Sequence, residues 1–200
     1  MQPLSRFMRS LACLMVLLAG FAGAARAADA SQAADLSQAV LLVASDNQVN
    51  SVYEKAVVLA APLPDGGHVG IIINRPIGVK LETLFPDQPS THNVREQVYL
   101  GGPVQPTALL ALTSQPPAGD SSYLALMPGL VAVLDAESVD RIIETTPNDA
   151  RYFLGFIFWG QDKLADEIGN GDWVVRPADA RSVLPTSTSD LWQFLSADFI

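Results

Sequence analysis

The chain is poor in cysteine, histidine and positive charge. Its 200 residues include one cysteine, Cys13, and two histidines, His68 and His92. Cys13 lies inside an apolar N-terminal run. A chain that loses this run carries no disulfide, no thiol nucleophile and no thiolate metal site. The two histidines stand too far apart for the close ligand spacings of common zinc motifs. Lysine and arginine total 12 against 21 acidic residues, a formal charge of −9. Nucleic-acid binding needs Lys and Arg to neutralise phosphates, so this balance argues against it. After the N-terminus no apolar run approaches the roughly 20 residues of a spanning helix, and no stable membrane insertion of the mature chain is expected. G-x-S-x-G, a Walker A loop, G-x-G-x-x-G after a strand and H-E-x-x-H are all missing. The sequence therefore assigns no catalytic residue, no metal site and no cofactor.

What is present begins with an address. Residues 1–27 read as a secretory signal peptide. Arg6 and Arg9 make a positive start, Leu11 to Phe21 a short apolar core, and Ala25-Arg26-Ala27 a small-x-small cleavage pattern. The alternative is a retained membrane anchor, for which the apolar core is short. Cleavage near Ala27 removes three arginines and no acid, moving the charge from −9 to −12. A periplasmic or secreted protein is expected. Ala28 to Gln38 is small and polar and reads as a linker, followed by one domain over 39–200. At 49% hydrophobic and 16% charged, the chain is apolar enough to build a core and unlike a disordered one.

Short runs rich in Val, Ile and Leu predict strands over 39–44, 55–61 and 68–74, each continuous enough to be buried on both faces. Pro62 to Gly67 between the last two is turn chemistry. Further strands are expected over 98–100, 109–113, 123–127, 130–134, 151–159 and 172–176. Asp135 caps a helix running through Thr145, with Val139, Ile142 and Ile143 as its apolar stripe. A second helix is expected over 161–168, ended by Gly169. A third covers 190–197, led by Ser189 and burying Leu191 and Leu195 with Trp192 or Phe194. Leu81–Phe85 reads as a single turn. Strands outnumber helices without regular alternation. That predicts an α+β fold, a single domain with a mixed, partly barrel-like sheet and flanking helices, not a doubly wound one.

Four residues are candidate ligand contacts. Asn74-Arg75-Pro76 follows a buried strand; Pro76 should stop its ladder and hold Arg75 extended at the strand end, where a guanidinium grips a carboxylate or phosphate. The plainer reading pairs Arg75 with an acid of the same domain. Gly101-Gly102 follows another strand, and paired glycines permit a small nest of N–H groups for an anion. The plainer reading there is a tight turn packed on a neighbouring strand. Ser45, His68 and Asp46 can be assembled into a triad on paper, and the histidines into a metal site with Asp65 or Asp87; nothing local marks either. The aromatic run from Tyr152 to Trp159 reads as core.

Taken in order, these segments resemble the YqgE/AlgH family of bacterial proteins. The resemblance is carried by Leu42-Val43-Ala44-Ser45, Ala56-Val57-Val58-Leu59, Gly70 to Pro76, Leu84-Phe85 and Val98-Tyr99-Leu100-Gly101-Gly102-Pro103-Val104. It continues through Gly155, Trp159-Gly160-Gln161, Leu164, Glu167-Ile168, Asn170, Trp173 and Pro177-Ala178-Asp179. It implies a mixed, partly barrel-like sheet with flanking helices and no established enzyme activity; some members carry a transcriptional-regulator label linked to alginate production. This chain departs from the family pattern in its export signal and in Ser45 to Tyr53, where the usual prolines are missing. Three functions are weighed: an exported, non-enzymatic binding or accessory protein for an unknown protein or small anionic ligand; an enzyme binding an anion near Arg75; and a cytosolic regulator, if the N-terminus is not a signal.

Overall fold

The computed structural model describes residues 35–117, 122–183 and 190–197. The leader, most of the linker and Ser189 lie outside the described residues. Ten strands form among the described residues: β1 Val40–Ala44, β2 Val57–Pro62, β3 His68–Ile72, β4 Pro76–Lys80, β5 Gln97–Leu100, β6 Val104–Thr113, β7 Leu124–Met127, β8 Leu130–Val133, β9 Ala150–Trp159 and β10 Trp173–Pro177. The helices are α1 Leu81–Leu84, α2 Ala136–Thr145, α3 Lys163–Gly169, α4 Ala180–Val183 and α5 Leu191–Ser196.

The strands run β10-β1-β2-β3-β9-β6-β8-β7 across one sheet, with β5 beside β9 and β4 beside β5. Every pair is antiparallel except β5 and β9, which are parallel. The sheet curls into a half-barrel, so the fold is a single α+β domain with a mixed, partly barrel-like sheet.

Strand periodicity explains where the cores lie. Side chains alternate between faces along a strand. Leu41, Leu59 and Ile71 therefore share one apolar cluster, which gathers Leu112, Leu126, Leu130 and Phe153 from strands across the sheet and fills the curl. Their neighbours Leu42, Val58 and Ile72 face the other way and join Leu164 of α3 and Trp173. A third cluster lies where Val139, Ile142 and Ile143 of α2 cover Ala111, Val133 and Tyr152. Being covered on both faces is why β1 to β3 read as unbroken apolar runs. Asp135 caps α2 as expected, its carboxylate accepting from the Ser138 amide at 3.0 Å. Hydrogen bonds from the Ser138 hydroxyl and amide hold the Asp135 carboxyl below its ordinary pKa.

Four expectations need correction. Pro76 does not end the pairing: it begins β4, opposite Tyr99. A proline is tolerated there because β4 is paired on one side only, so its missing N–H breaks no ladder. Strand β6 starts at Val104, one residue after the paired glycines, and reaches Thr113 through an irregularity between Val104 and Leu109. Gly169 is the last residue of α3 and Asn170 is its cap. No residue of α5 is fully buried. Leu191, Trp192 and Leu195 pack on the curl's cluster while Phe194 is 76% exposed, so the helix lies on the body without sinking into it.

Candidate functional site

Asn74, Arg75, Gly101 and Gly102 converge on one junction. Strand β9 changes neighbours along its length: Phe153 and Leu154 pair with β5, whereas Ile157 to Trp159 pair with β3. Gly155, with φ of +68°, lies at the changeover. The amides of Gly101 and Gly102 both donate to the Leu154 carbonyl, at 2.7 and 3.3 Å, and the Gly101 carbonyl accepts from Ile72 at 2.8 Å. Any Cβ at Gly102 would stand 2.3 Å from the Phe156 carbonyl carbon. These glycines are what lets two backbones cross.

Asn74 and Arg75 tie down the loop before β2. Asn74 accepts from the Val57 amide at 2.8 Å and donates to the Lys55 carbonyl at 2.9 Å. Arg75 donates from both terminal nitrogens, to the Val52 and Glu54 carbonyls. Burial lowers the pKa of its guanidinium, and the Glu54 charge partly opposes that. The backbone of Arg75 also accepts from Leu100 at 2.8 Å. Thus the partners of Arg75 are carbonyls, not the acidic side chain of the plainer reading.

The paper triad is not assembled. Ser45 follows β1 and donates to the Gly171 carbonyl at 2.6 Å. His68 sits at the far end of the register, opposite Pro62 and Trp159, on the order of 20 Å along the strand direction. His68 Nε2 meets the Leu36 carbonyl at 3.1 Å, and His92 Nδ1 meets Glu82 at 2.9 Å. Asp65 is engaged in its own turn, accepting from Gly67. Among the described residues no three His, Cys, Asp or Glu gather as a metal site.

Two polar arrangements escape sequence reasoning. In the first, Trp159 and Trp173 both donate their indole N–H to one oxygen of Glu167, at 2.9 and 2.8 Å. The two indoles meet edge-on at 6.4 Å, and Tyr53 packs edge-on against Trp173 at 5.4 Å. Burial, then the Glu167 charge, raises the Tyr53 pKa. Both tryptophans and Glu167 carry the family resemblance, but only the return of α3 onto the sheet brings them together.

The second arrangement is a cleft of about 450 Å³ between β4 and β5, lined by Gly78, Lys80, Arg95, Glu96, Gln97 and Tyr99. The β4–β5 ladder loses register between Pro76 and Lys80, around Gly78 at φ +73°. Behind Glu96 and Tyr99 lies Arg151 of β9, its side chain 4% exposed. Arg151 Nε donates to Glu96 at 2.9 Å, Nη2 approaches the Tyr99 hydroxyl at 3.4 Å, and the guanidinium lies 4.9 Å from the Tyr99 ring centre. A buried cation beside an open, positively lined cleft is equipped to hold an anion. An arginine inside the run 150–159 gave little warning, because its partners lie some 50 residues earlier.

Comparison with known proteins converges on one group. A family model described as AlgH-like matches residues 41–198. A UPF0301 protein of Chlorobaculum parvum is 28% identical over 155 residues, 76% of this chain and 81% of that protein. One from Mycobacteroides abscessus is 28% identical over 161 residues, covering 78% and 77%. Among solved structures, the AlgH protein from Pseudomonas aeruginosa aligns with a TM-score of 0.67 at 21% identity, over 84% of this chain and 92% of that one. A Corynebacterium diphtheriae protein aligns at 0.63 with 22% identity, over 81% and 86%. At these identities the structural matches establish the fold.

Proposed function

The chain belongs to the AlgH-like family, and from that premise we propose that it is an exported, non-enzymatic binding or accessory protein. The N-terminal pattern carries this reading. Arg6 and Arg9, the apolar stretch from Leu11 to Phe21 and the Ala25-Arg26-Ala27 pattern stand before the family-matched region, which starts at residue 41. A body left with a charge of −12 would repel nucleic acid, so the regulator label some relatives carry suits this chain poorly.

Binding is favoured over catalysis by how the polar groups are used. Asn74, Arg75, Gly101 and Gly102 hold strands together. A polar cleft lined by Lys80 and Arg95 opens on β4 and β5, the strands that continue from Arg75 and into Gly101, and the small anionic ligand expected near Arg75 is reassigned to it. Lys80 and Arg95 there offer charge without a nucleophile and base in contact.

The test is a fusion of the whole chain to a reporter that folds only outside the reducing cytoplasm, such as a disulfide-dependent phosphatase. An active reporter is expected. A reporter that is made but stays inactive, while a fusion with a known leader is active, would overturn export.

A further inference from the structure

We propose that the β4–β5 cleft is a carboxylate-binding site in which Glu96 occupies the place of the ligand. The proposal deepens the binding reading above and is independent of export.

Arg151 is the anchor. Burying a guanidinium is costly unless its donors are met. Arginine offers five N–H donors in a planar fork whose natural complement is a carboxylate held by two parallel hydrogen bonds. Here the fork is incompletely used. Glu96 contacts Nε through one oxygen, the Tyr99 hydroxyl is a distant 3.4 Å from Nη2, and the buried Nη1 has no partner among the described residues. A carboxylate bridging Nε and Nη2 would fill that edge of the fork better than Glu96 and Tyr99 do, leaving Nη1 as it is.

Glu96 is placed to give way. Its side chain is 37% exposed, against 4% for Arg151, and it precedes β5 on a bend outside any strand ladder. Rotation of Glu96 into water would leave the strand pairing intact. The cleft then has both room and charge. A Cβ at Gly78 would meet nothing within 4 Å, so the space around the register shift is open. Lys80 lies 3.7 Å from Glu82, an acid already held by His92 at 2.9 Å. Arg95 makes no side-chain ion pair among the described residues. In a strongly acidic chain, two cations thus face a cleft whose lining acid is Glu96, with a third cation behind it. One carboxylate would sit on Arg151, and a second on the same small molecule would meet Lys80 and Arg95. The ligand class is a small dicarboxylate.

An internal competitor lowers the apparent affinity by the fraction of molecules in which it has moved aside. Glu96→Gln keeps size and hydrogen bonding but replaces a charge-assisted contact by a neutral one. Succinate titrated calorimetrically into the purified protein is expected to bind, and to bind Glu96→Gln about tenfold tighter. Lys80→Ala with Arg95→Ala, both at the cleft surface, should weaken binding at least tenfold while the protein stays folded. Arg151→Lys, which loses the fork but keeps the charge, should lose binding as well. Equal affinity of the wild type and Glu96→Gln, or no succinate binding by folded protein of either kind, would overturn the proposal. Inorganic phosphate binding as tightly as succinate would overturn the carboxylate class. Recovery of the chain from cytoplasm would remove the export reading alone, so the two failures are distinguishable.

Discussion

The backbone of Gly101 rests directly on that of Gly155: a Cβ on Gly101 would fall 2.1 Å from the Gly155 carbonyl oxygen. Gly155, at φ +68°, has the Gly102 carbonyl oxygen 2.3 Å from where its own Cβ would be. Neither clash can be relieved by a side-chain rotation, because the obstacles are main chain. Gly101→Ala and Gly155→Ala should each cost about 3 kcal/mol or more in urea unfolding. Gly169 is the contrast. It is helical with open space around its Cβ, so Gly169→Ala should stabilise by about 0.5–1 kcal/mol.

Asn74 is expected to act as a staple. Asn74→Ala would strip a partner from the Val57 amide and another from the Lys55 carbonyl. Leaving such groups unpaired costs about 1–3 kcal/mol. Equilibrium unfolding of Asn74→Ala should show that loss, and Asn74→Asp should restore it only in part, since a carboxylate can still accept from Val57 but cannot donate to Lys55.

Glu167 should behave as the shared acceptor of two buried indoles. Glu167→Ala leaves both N–H groups without it, at about 1–3 kcal/mol for each. Glu167→Gln retains an amide oxygen and should be milder. Tryptophan fluorescence reads the site directly: the alanine variant should shift in its folded-state spectrum and the glutamine variant much less.

Alkaline pH should destabilise the protein through two phenols, Tyr152, which is buried, and Tyr53, which is half-buried. Burial, with Asp149 adding to it, raises the Tyr152 pKa, and the Tyr152 hydroxyl donates to the Pro147 carbonyl at 3.1 Å. Tyr53 is raised by burial and Glu167. In the unfolded chain these groups ionise near pH ~10, while in the folded one they hold their protons to higher pH. The unfolded state then binds fewer protons, so stability falls as pH rises above about 10. Tyr53→Phe combined with Tyr152→Phe should flatten that fall, as measured by urea midpoints on either side of pH ~10.

Local signals in the sequence specify much of this fold, and what they leave out has physical causes. Continuous apolar runs mark β1 to β3 and the aromatic-rich run marks β9, and Asp135 marks α2, because those elements are specified by their own composition and caps. Strand β4 was hidden because a proline reads as a barrier, whereas the edge position makes it harmless. That Asn74-Arg75 and Gly101-Gly102 each follow a strand is legible in the sequence; that the two pairs meet is not. Nor is their use as crossing and staple residues, because the change of neighbours along β9 is set by tertiary pairing. Arg151 and Glu96 are 55 residues apart, and Glu167 reaches its two indoles only once α3 has packed. Pairings of this kind leave no periodic trace in one sequence.

Intact mass and N-terminal sequencing of the untagged protein recovered from fractionated cells show whether the leader is removed and where the chain resides. An exported protein is expected outside the cytoplasm as a chain that begins near Ala28 and lacks Cys13 and the three leader arginines. A full-length chain starting at Met1 in the cytoplasmic fraction would contradict export.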